Sequence, residues 1–494
     1  MTSTVEFYKT DFNSTLYPLR TNQLMIEMHA KEISDYIYQE ILDETKAGES
    51  FLSQQRVYAT KPEGHLRRTV KLDPVAEYFI YDLVYRNRAI FRGPVSNTRQ
   101  SFGYRFKDGI QIPVHTAYKE YKDALSNASK KFRYNIRFDI ASYFNSVYHH
   151  DICHWFSSKD AVSRTDGEAM GKFFREINAG RSVDFLPHGI YPCKMIGNEY
   201  LKFIDLTGVL KSQEIIRFMD DFVLFDDDER KIKHDFLRIQ QLLGNYGLNV
   251  NPSKTFYNHD FGDVQKALSD IKKSLKEIVH EEIEVYGASG VEVAAIEMEV
   301  ERELNVEQIN SLILLLKQER LEESDADLIL GFLRSHSDSI LEFFPLFLNR
   351  FPNLVKHIHS ICATVVDKEK LTQIILEYVK GDAHFLEYQL FWLAVIVEDF
   401  LLGQRGYGEV LLRIYELSGD YKIARAKVLE IPEQGFGFKE IRNEYLKTGQ
   451  SDWLSWASAV GTRSLKAGER NYVLDYFSKA SKMNFLIASC VKKF

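Results

Sequence analysis

Cysteine, proline and tryptophan are scarce in this 494-residue chain, at 4, 11 and 4 residues. The cysteines, Cys153, Cys193, Cys362 and Cys490, stand too far apart for a CxxC metal knuckle or a disulfide scaffold, and read as reduced thiols of a cytosolic protein. Long apolar runs are also missing. The longest candidate, Phe391 to Leu402, is cut by Glu398 and Asp399 and falls short of the ~20 residues that span a bilayer, so no membrane protein is expected. Met-Thr-Ser-Thr-Val-Glu at the start has neither a basic segment nor a hydrophobic core, and no secretion signal is expected. What is present is 45% apolar and 13% aromatic side chains, too much for a disordered chain. The length calls for two or three domains of roughly 100 to 200 residues each.

A net charge of −7 argues at face value against a polyanionic partner, but the charge is uneven. Residues 51 to 150 hold 17 lysines and arginines against 8 acids, whereas residues 261 to 494 hold 28 against 36. Screening beyond about 8 to 10 Å makes the local field decisive, so the basic zone is able to hold phosphates inside an acidic whole.

Up to about Asn258 the chain mixes short β-branched and aromatic runs with turns, and reads as α+β. Asn135–Asp139, Ile215–Met219 and Phe222–Phe225 are strand candidates, and Lys231–Gly244 carries apolar residues at helical spacing. From about Phe261 strand signals nearly vanish. Helix-period segments follow one another at Ile309–Lys317, Ala326–Leu333, Ile340–Leu348, Leu354–Val365, Leu371–Val379, Leu386–Leu402 and Gly408–Leu417. They have no fixed repeat length, so the expectation is an irregular helical array. Gly287-Ala-Ser-Gly290 suits a loop between the halves.

The informative segment is Ile215-Ile-Arg-Phe-Met-Asp-Asp-Phe-Val-Leu-Phe225, two apolar runs joined across Asp220-Asp221. Burying two adjacent carboxylates costs several kcal/mol unless a cation or hydrogen bonds compensate. A hairpin tip would offer them to a metal, while a plain turn capping the next helix is the alternative. Upstream, Arg133–Val147 supplies a second strand ending in Asp139. Acids from two strands are what two-metal phosphoryl transfer requires: hard oxygen ligands around Mg2+ or Mn2+ ions about 3.5 to 4 Å apart.

At these residues the chain resembles reverse transcriptases. Phe218-Met-Asp-Asp221 is similar to their Tyr-x-Asp-Asp box, and Asp139-Ile-Ala-Ser-Tyr-Phe144 to their first carboxylate motif. Phe185-Leu-Pro-His-Gly189 through Leu201 resembles the Leu-Pro-Gln-Gly pocket motif, and Gly247–Thr255 the Gly-Leu-x-Leu-Asn-x-x-Lys-Thr motif. The resemblance implies that Asp139 and Asp220 are metal ligands, that Asp221 supports the site, and that Lys254 serves the leaving pyrophosphate. Phe144 would be the aromatic gate against the ribose 2′-hydroxyl, although its spacing fits a core aromatic equally. His188 and Gly189 would approach the nucleotide. Arg99 and Arg105, in a segment resembling the fingers, would grip the triphosphate.

His188 stands where such enzymes usually have Gln, and Phe218 where they have Tyr. No thumb, maturase or RNase H segment follows Thr255. A palm of this kind followed by a helical region resembles the abortive-infection (Abi) polymerases of bacteria and prophages, the form carried by P2-type prophages most of all. That resemblance implies fingers and palm over residues 1–260 and an all-α, HEAT-like helical-repeat domain over 261–494. It further implies an antiphage enzyme of the bacterial cytoplasm, a homo-oligomer that polymerises dNTPs without a template. Its single-stranded DNA product would be attached covalently to a protein hydroxyl. Tyr8 and Tyr17 are the expected primers, since a terminus can thread into a site. A templated reverse transcriptase and an inactive palm serving a helical partner-binding platform are the alternatives.

Overall fold

The computed structural model describes residues 3–259 apart from 44, 47, 62–63, 94 and 180–184, and residues 306–494 apart from 318–322. The boundary expected at 260 and the loop 287–290 lie outside the described residues. The chain forms two compact units. A single cut near 260 does not separate them: Tyr17–His29 and Arg56–Arg68 belong to the unit of the C-terminal helices. The helix Arg20–Tyr36 breaks its helical geometry at His29, where membership changes from one unit to the other.

In the first unit a five-stranded mixed sheet runs in the order β3-β7-β8-β6-β9. Its strands are β3 (Arg99–Phe102), β6 (Tyr134–Phe138), β7 (Glu214–Phe218), β8 (Asp221–Asp226) and β9 (Phe256–Tyr257). The earlier β1 (Gln55–Thr60) and β2 (Leu66–Lys71) form a separate two-stranded sheet, as do β4 (Phe106–Lys107) and β5 (Ile110–Gln111). β8 lies inside the sheet, with β7 and β6 antiparallel on either side, and its run Phe222–Phe225 is wholly buried. An unbroken apolar run rather than an alternating one marks a strand covered on both faces. The helix Val114–Lys131 packs on β3 and β7, and Glu229–Gly244 on β6 and β8. The latter starts where Asp228 accepts a hydrogen bond from the Arg230 N–H, the acid-capped start that the run Asp226–Glu229 suggests.

The second unit is helical. Val355–Cys362 packs on Glu387–Ile396, which packs on Lys422–Glu430, then Trp453–Gly461, then Lys482–Val491. Alternate helices pair likewise in Lys368–Lys380 with Tyr407–Leu417 and in Phe438–Lys447 with Ala467–Phe477. Glu387–Ile396 is buried all round, as an interior helix must be if it is apolar on every face. Its continuation to Leu401 is a π-turn, so the segment expected as one helix to Leu402 changes character at Val397. Ile340–Leu348 is also split, into a 3-10 stretch to Phe343 and a short α-helix from Phe344. Among the described residues, no helix is long and apolar enough to cross a membrane.

Candidate active site

Strand pairing brings the three predicted acids together. Phe138 of β6 pairs with Phe222 of β8, their rings stacked 5.3 Å apart, and one step further along this register Asp139 comes level with Asp221. Phe218 pairs with Asp221 across the β7–β8 hairpin, leaving Met219 and Asp220 as its two-residue turn. Met219 has φ +58°, a left-handed backbone that a long side chain adopts only when its surroundings impose it. The surroundings here are Arg217. Its wholly buried guanidinium donates to the Met219 carbonyl at 3.0 Å and to the Asn198 carbonyl and Oδ1 at 2.9 Å each, and pairs with Asp205 at 2.7 Å.

The last sequence motif returns to β6. Ala141 N–H donates to the Asn249 carbonyl at 2.7 Å and Asn251 N–H to the Asp139 carbonyl at 2.9 Å. Lys254 Nζ thereby sits 3.1 Å from Asp139 Oδ2, and Arg137 Nη2 lies 3.6 Å from Asp221 Oδ1. Two cations face three carboxylates. Burial first, and then the charges of Asp221 and Asp139, push the Asp220 carboxyl up to about 7. Burial also raises Asp221, to about 6, against the opposing pull of Arg137. Asp139 Oδ1 is buried with no hydrogen-bond partner. Among the described residues no three His, Cys, Asp or Glu side chains form a ready-made metal cage. The donor chemistry still fits a hard divalent cation: under-compensated carboxylate oxygens, one of them orphaned.

Phe144 and His188 also meet, their rings stacked 4.5 Å apart at 25°. Gly197 lies against Phe144, where a Cβ would come within 3.3 Å of Cζ, and its carbonyl accepts from Tyr143 Oη at 2.7 Å.

Other expected site residues are differently engaged. Gly189 has φ +87°, and a Cβ there would fall 2.4 Å from Leu16 Cγ, so packing against this leucine requires a glycine. Arg99 donates to the carbonyls of Thr98 and Ser212 at 2.9 Å and of Leu210 and Gln213 at 3.4 Å. Arg105 is buried, paired with Glu120 and lying over the Phe102 ring. Arg99 is thus engaged with backbone carbonyls, whereas Arg105 keeps Nη1 buried with no hydrogen-bond partner. Nor is either expected primer on a free terminus. Tyr8 is 0% exposed in the helix Thr4–Phe12, edge-on to Tyr81. Tyr17 is 3% exposed, edge-on to Tyr388 and Phe391, with Oη donating to the Tyr58 carbonyl. Burial, with Glu387 nearby, holds its phenol well above the ordinary tyrosine range.

Residues missed from the sequence are Arg217, Asn198, Asp205 and Arg137. The available signal was a charge inside an apolar strand, Ile-Ile-Arg-Phe and Asn-Ile-Arg-Phe, which a buried strand tolerates only with a partner.

The fold and site are those of a mixed-sheet unit carrying a carboxylate hairpin. Solved structures to which the chain is similar include telomerases. One is telomerase from Candida albicans in complex with a TWJ fragment of telomeric RNA: 12% identity, 80% of this chain and 68% of that chain covered, TM-score 0.30. Another is apo telomerase from Candida tropicalis: 12% identity, 87% and 73% covered, TM-score 0.31. At these scores the likeness carries no argument, and the reading rests on strand register and side chains. No protein-family model and no curated protein matches the chain.

Proposed function

We propose that this chain is a reverse-transcriptase-like nucleotidyltransferase that joins dNTPs at Asp139, Asp220 and Asp221. The carrying observation is the meeting of three partly buried carboxylates at β6 and the β7–β8 turn, with two cations beside them among the described residues. Mg2+ or Mn2+ held by Asp139 and Asp220 would supply Lewis-acid activation of a hydroxyl and charge neutralisation at the leaving pyrophosphate. Arg137 holds Asp221 beside that pair, and Lys254, bonded to Asp139 and 41% exposed, is placed to neutralise pyrophosphate. Arg217 fixes the turn so that Asp220 keeps one orientation. The Phe144–His188 stack forms a flat wall five residues beyond Asp139, suited to packing against a deoxyribose.

The finer reading comes from the motif resemblance: untemplated, protein-primed synthesis for phage defence in a bacterial cytoplasm, by a homo-oligomer whose single-stranded DNA stays attached. The pairing of alternate helices supports a HEAT-like array standing in place of a thumb. Priming from Tyr8 or Tyr17 requires that residue to leave its interior position. The test incubates the purified chain with one labelled dNTP and Mg2+ or Mn2+, without nucleic acid. A protein band shifted upward on a denaturing gel is the expected result, and peptide mapping identifies the hydroxyl. Synthesis only when a template is added would replace this reading with templated reverse transcription. No synthesis under either condition refutes the enzyme.

A further inference from the structure

The geometry points to Thr69 as the residue that positions the Phe144–His188 wall, and so as a determinant of which nucleotide sugar the site accepts. The inference rests on the nucleotide-site reading above and goes one layer behind it. Thr69 is buried on β2, and its hydroxyl engages both backbone groups of one residue: Oγ1 accepts from the His188 N–H at 2.8 Å and donates to the His188 carbonyl at 3.3 Å. These bonds join positions 119 residues apart in sequence.

The rest of the segment is held from other sides. Leu186 N–H donates to the Phe144 carbonyl at 2.7 Å, tying the segment of His188 to the residue it stacks on. Leu16 closes on Gly189 from outside, so the peptide after His188 has little room to turn. Phe144 is backed by Gly197, whose missing side chain lets the ring lie flat. Thr69 therefore fixes the height of the imidazole over the Phe144 ring, and the imidazole in turn keeps that ring from swinging. An aromatic gate discriminates by refusing space to a 2′-hydroxyl, and refusal lasts only while the ring cannot move.

Thr69→Val keeps the side-chain shape and removes both hydrogen bonds, whereas Thr69→Ser keeps the hydroxyl. Binding of labelled dATP and ATP is measured by equilibrium dialysis with Mg2+ on the full chain, alongside incorporation of each. The parent is expected to prefer dATP. Thr69→Val should lower that preference about five- to tenfold, the size of one or two lost hydrogen bonds, mainly through tighter ATP binding, with kcat for dATP changed less. Thr69→Ser should restore it to within about twofold. Should Thr69→Val fold poorly by circular dichroism, Thr69→Ala makes the same deletion without the added methyl. An unchanged preference in the folded hydroxyl-less variant overturns the proposal, as does equal binding of dATP and ATP by the parent. A parent that binds but does not incorporate refutes the polymerase reading, and the dialysis ratio still decides the role of Thr69. A parent that binds neither nucleotide refutes both.

Discussion

Each unit gathers a cluster of three acids, and the two clusters are finished differently. In the helical unit Glu398, Asp399 and Glu430 meet Arg20, Lys427 and Arg463. Lys427 Nζ lies 2.5 Å from Glu398 and 2.8 Å from Glu430, Arg20 Nη2 lies 2.8 Å from Asp399, and Arg463 Nη2 lies 3.4 Å from Glu398. Glu430 also accepts the backbone N–H groups of Arg20 and Thr21 at 2.8 Å, an anion on the first turn of a helix. Burial alone would lower the Lys427 ammonium, yet Glu398 and Glu430 hold it above the ordinary lysine range. At Asp139, Asp220 and Asp221 the cations are fewer, two carboxyls are pushed up, and one buried oxygen has no donor. The difference teaches how to tell a structural carboxylate cluster from a working one. The first is complete within the protein, and the second is left short of positive charge.

That contrast is broken most sharply by neutralising each cluster in turn. Asp220→Asn and Asp139→Asn should each reduce nucleotide incorporation on the order of a thousandfold or more, while the melting temperature holds or rises because like charges are removed. Retained synthesis in either variant would end the catalytic assignment. Lys427→Met should do the reverse, leaving Glu398 only the 3.4 Å contacts of Arg20 and Arg463 and Glu430 no side-chain cation, and costing about 3 to 5 kcal/mol in urea unfolding. A loss below about 1 kcal/mol would show that the cluster is not the closed unit described.

A third kind of buried acid sharpens the comparison. Glu387 accepts the Ile423 N–H at 3.0 Å, and burial pushes its carboxyl up to about 7 despite that bond. The folded state therefore holds this proton more tightly than the unfolded chain. The contribution to stability is complete below about pH 4.5 and is lost as pH rises through about 7, amounting to about 3 kcal/mol. Glu387→Gln keeps an acceptor for Ile423, and its unfolding free energy should lack this pH dependence; an unaltered profile would place the titration elsewhere. The smallest effect is expected at the gate, where Phe144→Ala should relax selection against ribonucleotides about tenfold. Identical dNTP to rNTP ratios in the variant and parent would remove Phe144 from sugar selection.

Short-range signals were read correctly where local chemistry is sufficient. The strands expected at 135–139, 215–219 and 222–225 are β6, β7 and β8 within a residue or two, and Lys231–Gly244 is the body of Glu229–Gly244. Apolar runs and acidic caps are local physics, and so they survive in a linear reading. The contacts of Arg99 were not legible, because an arginine in a basic zone looks the same whether its partner is a phosphate or a carbonyl of residue 212. The burial of Tyr8 and Tyr17 was not legible either, because nearness to a terminus says nothing about packing against Tyr81 or Phe391.

The linear pattern alone is enough to say which side chains carry charge and that a turn near Asp220 joins two apolar strands. Only the tertiary structure decided which charges are answered. Residues 17–29 pack with helices some four hundred positions away, Arg20 meeting Glu430, and Thr69 reaches His188 across the first unit. The physical reason is that compensation of a buried charge or hydrogen-bonding group depends on what lies within about 3 Å in space, a distance that spacing along the chain does not encode.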